Sequence, residues 1–323
     1  LGTVLSHQAF GARAAASLEA VCAEIARIEA LLSCFAPDSE ISRVNRAAGT
    51  GCERVTRETY AVLCAAVEYS RRLAGCFDVT IGPLVTLWNA AHAALTPPDE
   101  QRIHEVLPLV DYRDLLLDPR AMTAGLRRAG QSVDLGGIGK GFAGDRIVQV
   151  FGRYGIASAC SNLGGNVVTR GAKPDGTPWR VGIQHPRLAD RLIGSVAVSG
   201  KAVVTSGDYQ RGFTDRHGMS HHHLLSPATG HPARSGLVSV SIVSGSSTVA
   251  DALATAVFVA GMAQGLELLR GFPHAEAILV DNDLRVFVTR GLQNHFQPDD
   301  GIRPSIVDLR RPALQHEREA DVP

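Results

Sequence analysis

Aromatic residues make up only 5% of this 323-residue chain, and neither charge is in excess, with 32 Lys and Arg against 32 Asp and Glu. Without a basic field or a supply of stacking rings, nucleic acid is a poor candidate for its main partner. The six cysteines (Cys22, Cys34, Cys52, Cys64, Cys76 and Cys160) include no C-x-x-C pair and no histidine at zinc-finger spacing. They read as free thiols, not as a disulfide framework or a zinc site. No run of residues approaches the apolar length of a membrane span, and no signal-peptide pattern follows Leu1-Gly2-Thr3. Nor is there a repeat of fixed period or a low-complexity tract.

Glycine, in contrast, is plentiful: 33 residues, clustered at particular places. Clustering suggests tight turns and close backbone approach to ligands rather than flexible linkers. Leu18, Val21, Ile25, Ile28 and Leu32 recur at three-four spacing, which predicts an amphipathic helix over residues 14–33. Thr56 is placed to N-cap a second helix anchored by Tyr60, Leu63 and Val67 and ending near Gly75. A short strand is expected at Ser132 and Val133, with a helix from about Gly141. The second half alternates β-type runs with turns: 179–183, 195–198, 202–205 and 238–243. Asp251 is expected to open a helix through about Gly261, and Asp281-Asn282-Asp283 to turn a hairpin. Strands in runs and helices in pairs, without regular βαβ alternation, predict a mixed α+β fold with mainly antiparallel sheets packed with helices. Residues 1–291 read as one domain, and residues 292–323, polar and proline-containing, as a disordered or surface-clinging tail.

Three constellations carry chemistry. Asp134-Leu135-Gly136-Gly137-Ile138-Gly139-Lys140-Gly141 is a glycine-dense turn between the expected strand and helix. Such a turn lets backbone N–H groups approach a phosphate at a helix N-terminus, and Lys140 adds a point charge. It is not a P-loop, since Gly141 stands where Ser or Thr should follow the Lys, and no βαβ unit makes it a dinucleotide fingerprint. The bland alternative is a turn that only glycine can make. Asp251 and Thr255 lie four residues apart, so they share a helix face, and their oxygens suit Mg²⁺. By spacing alone a capping box at Thr248 to Asp251 explains them better. His221, His222 and His223 cannot all bind one ion from an extended segment, because neighbours face opposite ways. One of them acting as a base near neutral pH is more economical.

Taken in chain order, these pieces resemble the FAD:protein FMN transferase family of the ApbE type. The matching stretches are Leu1-Gly2-Thr3, Pro37-Asp38-Ser39-Glu40 with Asn45, Phe77-Asp78-x-Thr80-x-Gly82-Pro83-Leu84 with Leu87-Trp88, and the Asp134 glycine loop. They continue with Asn162-Leu163-Gly164-Gly165-Asn166, Thr205-Ser206-Gly207-Asp208-Tyr209, the segment from His223 to Pro232, and Asp251 to Thr255. The resemblance implies Mg²⁺-dependent transfer of FMN from FAD to a Thr or Ser hydroxyl of an acceptor flavoprotein, with release of AMP. It implies Gly137 (through its carbonyl), Asp251 and Thr255 as metal ligands. It implies Cys76, Phe77, Asp78, Asp134, Lys140, Leu225, Phe35 and Leu1 as flavin-nucleotide contacts, and His223 as the base. Departures from the family pattern are Leu1 for Met, Ser226 for an Asp before the Pro, and Ala254 for a Ser beside Thr255. The competing functions are an FAD pyrophosphatase, with water as nucleophile at the same site, a non-catalytic flavin carrier and an ordinary flavin oxidoreductase. Many relatives act in the periplasm or on the outer face of the cytoplasmic membrane, yet the sequence shows no export pattern, so the compartment stays open.

Overall fold

The computed structural model describes residues 3–310. In the first half, strand β1 (Leu5–Phe10) is followed by α1 (Ala14–Leu32), α2 (Glu40–Arg46), β2 (Cys52–Arg54), α3 (Arg57–Arg72), α4 (Gly82–Ala94) and α5 (Glu100–Val106). Then come β3 (Leu115–Asp118), β4 (Thr123–Leu126), α6 (Gly139–Arg153), β5 (Ser158–Leu163), β6 (Asn166–Arg170), β7 (Trp179–Gln184) and β8 (Leu192–Val198). The remainder is β9 (Ala202–Gly207), β10 (Gly212–Thr214), β11 (Ser220–His222), β12 (Leu237–Ser244), α7 (Ser247–Arg270), β13 (Glu276–Asp281), β14 (Val286–Thr289), β15 (Phe296–Pro298) and β16 (Ser305–Val307).

An eight-stranded sheet, in the order β1-β5-β6-β9-β12-β13-β14-β16, forms the spine. Every neighbouring pair is antiparallel except β14 and β16. This is the α+β class expected. One face is covered by α6 and α7, with α1 packed outside α6. On the other face lies the three-stranded sheet β15-β8-β7, whose Trp179, Val181, Ile193 and Val196 join Val203, Val243, Ile278 and Val288 in a second core. Because β12 is central and covered on both sides, all eight of its residues are buried. A third, smaller cluster joins α4 and α5 to the β10–β11 hairpin through Leu84, Trp88, Ile103, Phe213 and Leu225.

Local signals account for several elements. In α1, Val21, Ile25, Ile28 and Leu32 form the buried stripe. Thr56 caps α3, accepting from Thr59 N, while Glu40 Oε2 accepts from both the Thr56 N–H and its hydroxyl at 2.9 Å. Other expectations need correction. Ser132 and Val133 form no named strand: Ser132 makes an isolated parallel bridge to Ile81, and on the other side the Asn45 side chain takes the place of a second partner, donating to Val133 O at 3.0 Å and accepting from Val133 N at 2.8 Å.

Helix α7 also differs from expectation. It begins at Ser247, N-capped by Ser246, and runs on to Arg270 through a break at Gly261. The Thr248–Asp251 capping box does not form. Instead Asp145, on α6, accepts from Ser246 Oγ, Ser247 N, Thr248 N and Thr248 Oγ1 at 2.6–3.0 Å. Ser246 and a carboxylate from a neighbouring helix share the capping, so Asp251 is not needed for it. At Gly261 the φ of 77° and the approach of Ser235 O, 2.7 Å from where a Cβ would sit, both require glycine. By length and composition α7 is apolar enough to cross a membrane, contrary to the sequence reading. Here that apolar surface is spent on the core, since α7 packs against β9, β12 and α6.

The segment after residue 291, expected as a disordered or surface-clinging tail, joins the sheets as far as Val307. Within it, β15 pairs with β8 and β16 with β14. Buried Phe296 explains the first anchor, and ion pairing of Arg290 with Asp308 the second. Residues 311–323 lie outside the described residues.

Candidate active site

Two helix starts meet at the centre of the main core. The loop from Asp134 delivers the chain to the beginning of α6, which lies flush against the first turn of α7. Glycine makes that contact possible. A Cβ at Gly141 would fall 2.4 Å from Ser247 O and 2.7 Å from Asp251 Cβ, and one at Gly144 would fall 2.7 Å from Ser247 Oγ. None of Gly136, Gly137, Gly139 or Gly141 has a positive φ. None of them makes a left-handed turn, and Gly141 serves close approach of the two helices. Gly137 follows the same rule, because a Cβ there would lie 3.1 Å from both Thr255 Oγ1 and Phe77 Cε2.

Asp251 and Thr255 thus sit beside the glycine loop, over a hundred positions away in sequence. Asp251 is 2% exposed, and its Oδ2 accepts from Gly141 N at 2.7 Å. Its Oδ1 faces Lys140 Nζ at 3.6 Å. Among the described residues, no hydrogen bond uses Thr255 Oγ1 or the Gly137 carbonyl. Ala254 is packed in the main core. Among the same residues, no group of three or more His, Cys, Asp and Glu side chains is arranged to hold a metal ion.

The other sequence-nominated residues differ in their surroundings. Asp134 and Asp78 are spent on the chain itself. Asp134 Oδ1 accepts from Gly136 N at 2.7 Å, and Oδ2 from the Cys34 thiol at 3.7 Å. Burial pushes the Asp134 carboxyl up, and burial together with the Asp134 charge pushes the Cys34 thiol up to about 11. Asp78 accepts from Thr80 N, Thr80 Oγ1 and Tyr112 N at 2.6–3.0 Å, and burial raises its pKa also. These contacts shape the walls of the loop. Cys76 and Phe77 are buried in the main core, with the edge of Phe77 against Gly137. Leu225 is buried against α4 in the third cluster. Phe35, by contrast, is 83% exposed on the loop next to Cys34. Leu1 lies outside the described residues.

The three histidines have three separate partners. His221 Nε2–H donates to Asp215 at 2.9 Å, its ring stacked on Phe213 and beside Trp88. His222 Nε2–H donates to Ala233 O at 2.8 Å, and its Nδ1 accepts from Leu224 N. His223 is the one open to solvent, and its Nδ1–H donates to Arg211 O at 3.1 Å. That bond leaves Nε2 as a lone-pair acceptor. Although the ring has an open face, the surrounding protein, with Arg211, His222 and Lys140, depresses its pKa to about 4. Lys140 therefore acts electrostatically on both Asp251 and His223. A separate cavity of about 320 Å³, lined by Asp145, Thr169, Lys201 and Ser246, contains none of the sequence-nominated residues.

Sequence reasoning passed over Asp145 and Asp215. Asp145 caps a helix a hundred residues downstream and leaves no local signal, while Arg211, at the end of the polar turn from Thr205, acts here through its main-chain carbonyl. Asp215 stands six residues from His221, a spacing that becomes meaningful only once the hairpin register is known.

The fold is that of an ApbE protein from Thermotoga maritima (TM-score 0.81, 32% identity, covering 91% of this chain and 94% of that one). It matches the flavinyl transferase ApbE of Pseudomonas stutzeri with a TM-score of 0.79 at 26% identity, covering 92% of this chain and 94% of that one. The likeness to these structures places the chain among enzymes of the flavin-transferase class. In sequence, the FAD:protein FMN transferase of Treponema pallidum strain Nichols is 35% identical over 310 residues, 90% of this chain and 85% of that protein. An FAD:protein FMN transferase of Klebsiella pneumoniae strain 342 is 32% identical over 277 residues, 85% of each. The model of the ApbE family matches residues 1–279, and this chain belongs to that family.

Proposed function

We propose that the chain transfers FMN from FAD to a Thr or Ser hydroxyl of an acceptor flavoprotein, with Mg²⁺ and with release of AMP. The observation that carries this reading is a pair of oxygens one helical turn apart beside the glycine loop: Asp251 Oδ1, whose one facing group is Lys140 Nζ at 3.6 Å, and Thr255 Oγ1, which has no hydrogen-bond partner among the described residues and lies against Gly137. Mg²⁺ is commonly held by one or two carboxylates plus substrate phosphates and waters, so a site with few protein ligands fits that ion. Bound there, the ion would neutralise charge on the FAD pyrophosphate.

The chain's own residues supply the rest. At the start of α6 the N–H groups of Gly139 and Gly141 are taken by Leu135 O and Asp251, so among the described residues those of Gly137 and Lys140, with the Lys140 ammonium, are the donors left for the phosphates. With Nδ1–H committed to Arg211 O, Nε2 of neutral His223 accepts the proton of the acceptor hydroxyl. The hydroxyl oxygen bonds to the FMN phosphorus, the anhydride bond breaks, and AMP departs with the electron pair.

The test is incubation of the protein with FAD, Mg²⁺ and a candidate acceptor flavoprotein. A fluorescent acceptor band that survives denaturation supports transfer. Free FMN and AMP with no labelled acceptor, across a panel of acceptors, would establish a pyrophosphatase instead. Intact FAD would leave only a flavin carrier.

A further inference from the structure

We propose that Asp215 and His221 form a positioning pair that locks the β10–β11 hairpin and so sets the ring of His223 through the Arg211 carbonyl. The inference rests on His223 being the base. The hairpin has only three residue pairs, Gly212 with His222, Phe213 with His221 and Thr214 with Ser220. Two strands that short are not stable alone. Arg211 directly precedes β10 and His223 directly follows β11, and Arg211 O accepts from both the main-chain N and Nδ1 of His223. The orientation of the base is therefore only as fixed as the hairpin register.

Asp215 closes the hairpin from inside. One oxygen accepts from His217 N and Met219 N at 2.8 and 3.0 Å, holding the turn, and the other accepts from His221 Nε2 at 2.9 Å, tying the turn to β11. Both side chains are buried. These donors hold the Asp215 carboxyl down at about 2, so it stays an anion. The His221 ring lies 5.1 Å from Phe213 and 5.5 Å from Trp88, centroid to centroid. Trp88 Nε1–H in turn donates to Gly230 O, in the segment that follows the base. The pair thus docks the hairpin on α4 and fixes both sides of His223. Neither residue contacts substrate in this scheme; they act through His223.

Two substitutions separate the roles of His221. H221F keeps an aromatic ring but removes the donor, while H221Q keeps an N–H donor at nearly the same reach but removes the ring. Flavin transfer kinetics and the His223 titration, followed by NMR on ¹³C-histidine-labelled protein without substrate, are measured for each. With H221F, kcat is expected to fall by about tenfold or more, as misplacement of a base does, with KM for FAD changed less than about twofold. The His223 midpoint should rise toward the ordinary 6.5 as the ring leaves its crowded position beside Arg211, His222 and Lys140. H221Q should retain most of the rate. Folded H221F with unchanged kcat and unchanged titration overturns the proposal, as does H221Q losing as much as H221F. If H221F does not fold, H221M, which also leaves Asp215 without a donor from β11, is read by the same criteria. An H223A variant run alongside tests the base itself. Wild-type transfer by H223A would refute that reading, while the substrate-free titration still decides the positioning.

Discussion

Replacing Asp251 separates its two jobs. Its Oδ2 accepts from the buried Gly141 N–H at 2.7 Å, and its Oδ1 faces Lys140 and is assigned to the metal. Asp251→Ala removes both. The Gly141 N–H, enclosed between α6 and α7, is then left without a partner, at a cost of about 1–3 kcal/mol. Lys140 is 26% exposed and can turn to water, so the lost ion pair adds little. Alanine's helix propensity returns roughly 0.5 kcal/mol. The net loss is about 0.5–2.5 kcal/mol, seen as a fall in Tm of roughly 1–4 °C for a chain of this length. Asp251→Asn keeps an amide oxygen for Gly141 and should cost about 1 kcal/mol or less. For flavin transfer the two variants should not differ: both lose the anionic ligand and should fall more than about 100-fold. The assay pairs thermal denaturation with in-gel flavin fluorescence of the acceptor at limiting Mg²⁺. If Asp251→Asn transfers flavin at the wild-type rate, the carboxylate serves only to cap Gly141 and the metal assignment is wrong. If the two variants are equally destabilised, the hydrogen-bond accounting is wrong.

Thr255→Val should leave Tm within about 2 °C, since Thr255 Oγ1 has no protein partner, while weakening Mg²⁺ binding measured by calorimetry. Unchanged Mg²⁺ affinity would remove Thr255 from the site. Gly141→Ala places a methyl 2.4 Å from Ser247 O, a main-chain atom that cannot rotate away, so despite a gain in helix propensity it should destabilise by about 1–3 kcal/mol and cost most of the activity. A folded variant of wild-type stability would mean the two helices are not in this contact. Finally, the depressed pKa keeps His223 neutral well below the ordinary range, so the acid limb of kcat/KM that it controls should lie near 4, not 6.5. At pH 5.5 a base of ordinary pKa would retain about a tenth of its neutral form, whereas here nearly all remains. An acid limb centred near 6.5 counts against the depressed value.

Much of the architecture could be read along the chain. The three-four spacing in α1, the Thr56 cap of α3 and the runs of β12 and β13 are local patterns, and local patterns record period and capping. The errors fell where a distant group replaced a near one. Asn45 stands in for a partner strand at Val133, Asp145 caps α7 from another helix, and β15 and β16 draw residues after 291 back into the fold.

The site divides in the same way. Motif order along the chain was enough to indicate the family, because the glycine loop, the histidine segment and Asp251 with Thr255 are recognisable one by one. Their joint meaning belongs to the tertiary structure. Only packing shows that the glycines at 137 and 141 admit another helix instead of making a turn, that Asp251 closes onto a main-chain N–H 110 residues away, and that of three adjacent histidines His223 alone faces solvent. Sequence determines what each segment can do; which groups come within hydrogen-bonding distance is decided by how the helices and the central sheet bury their surfaces together.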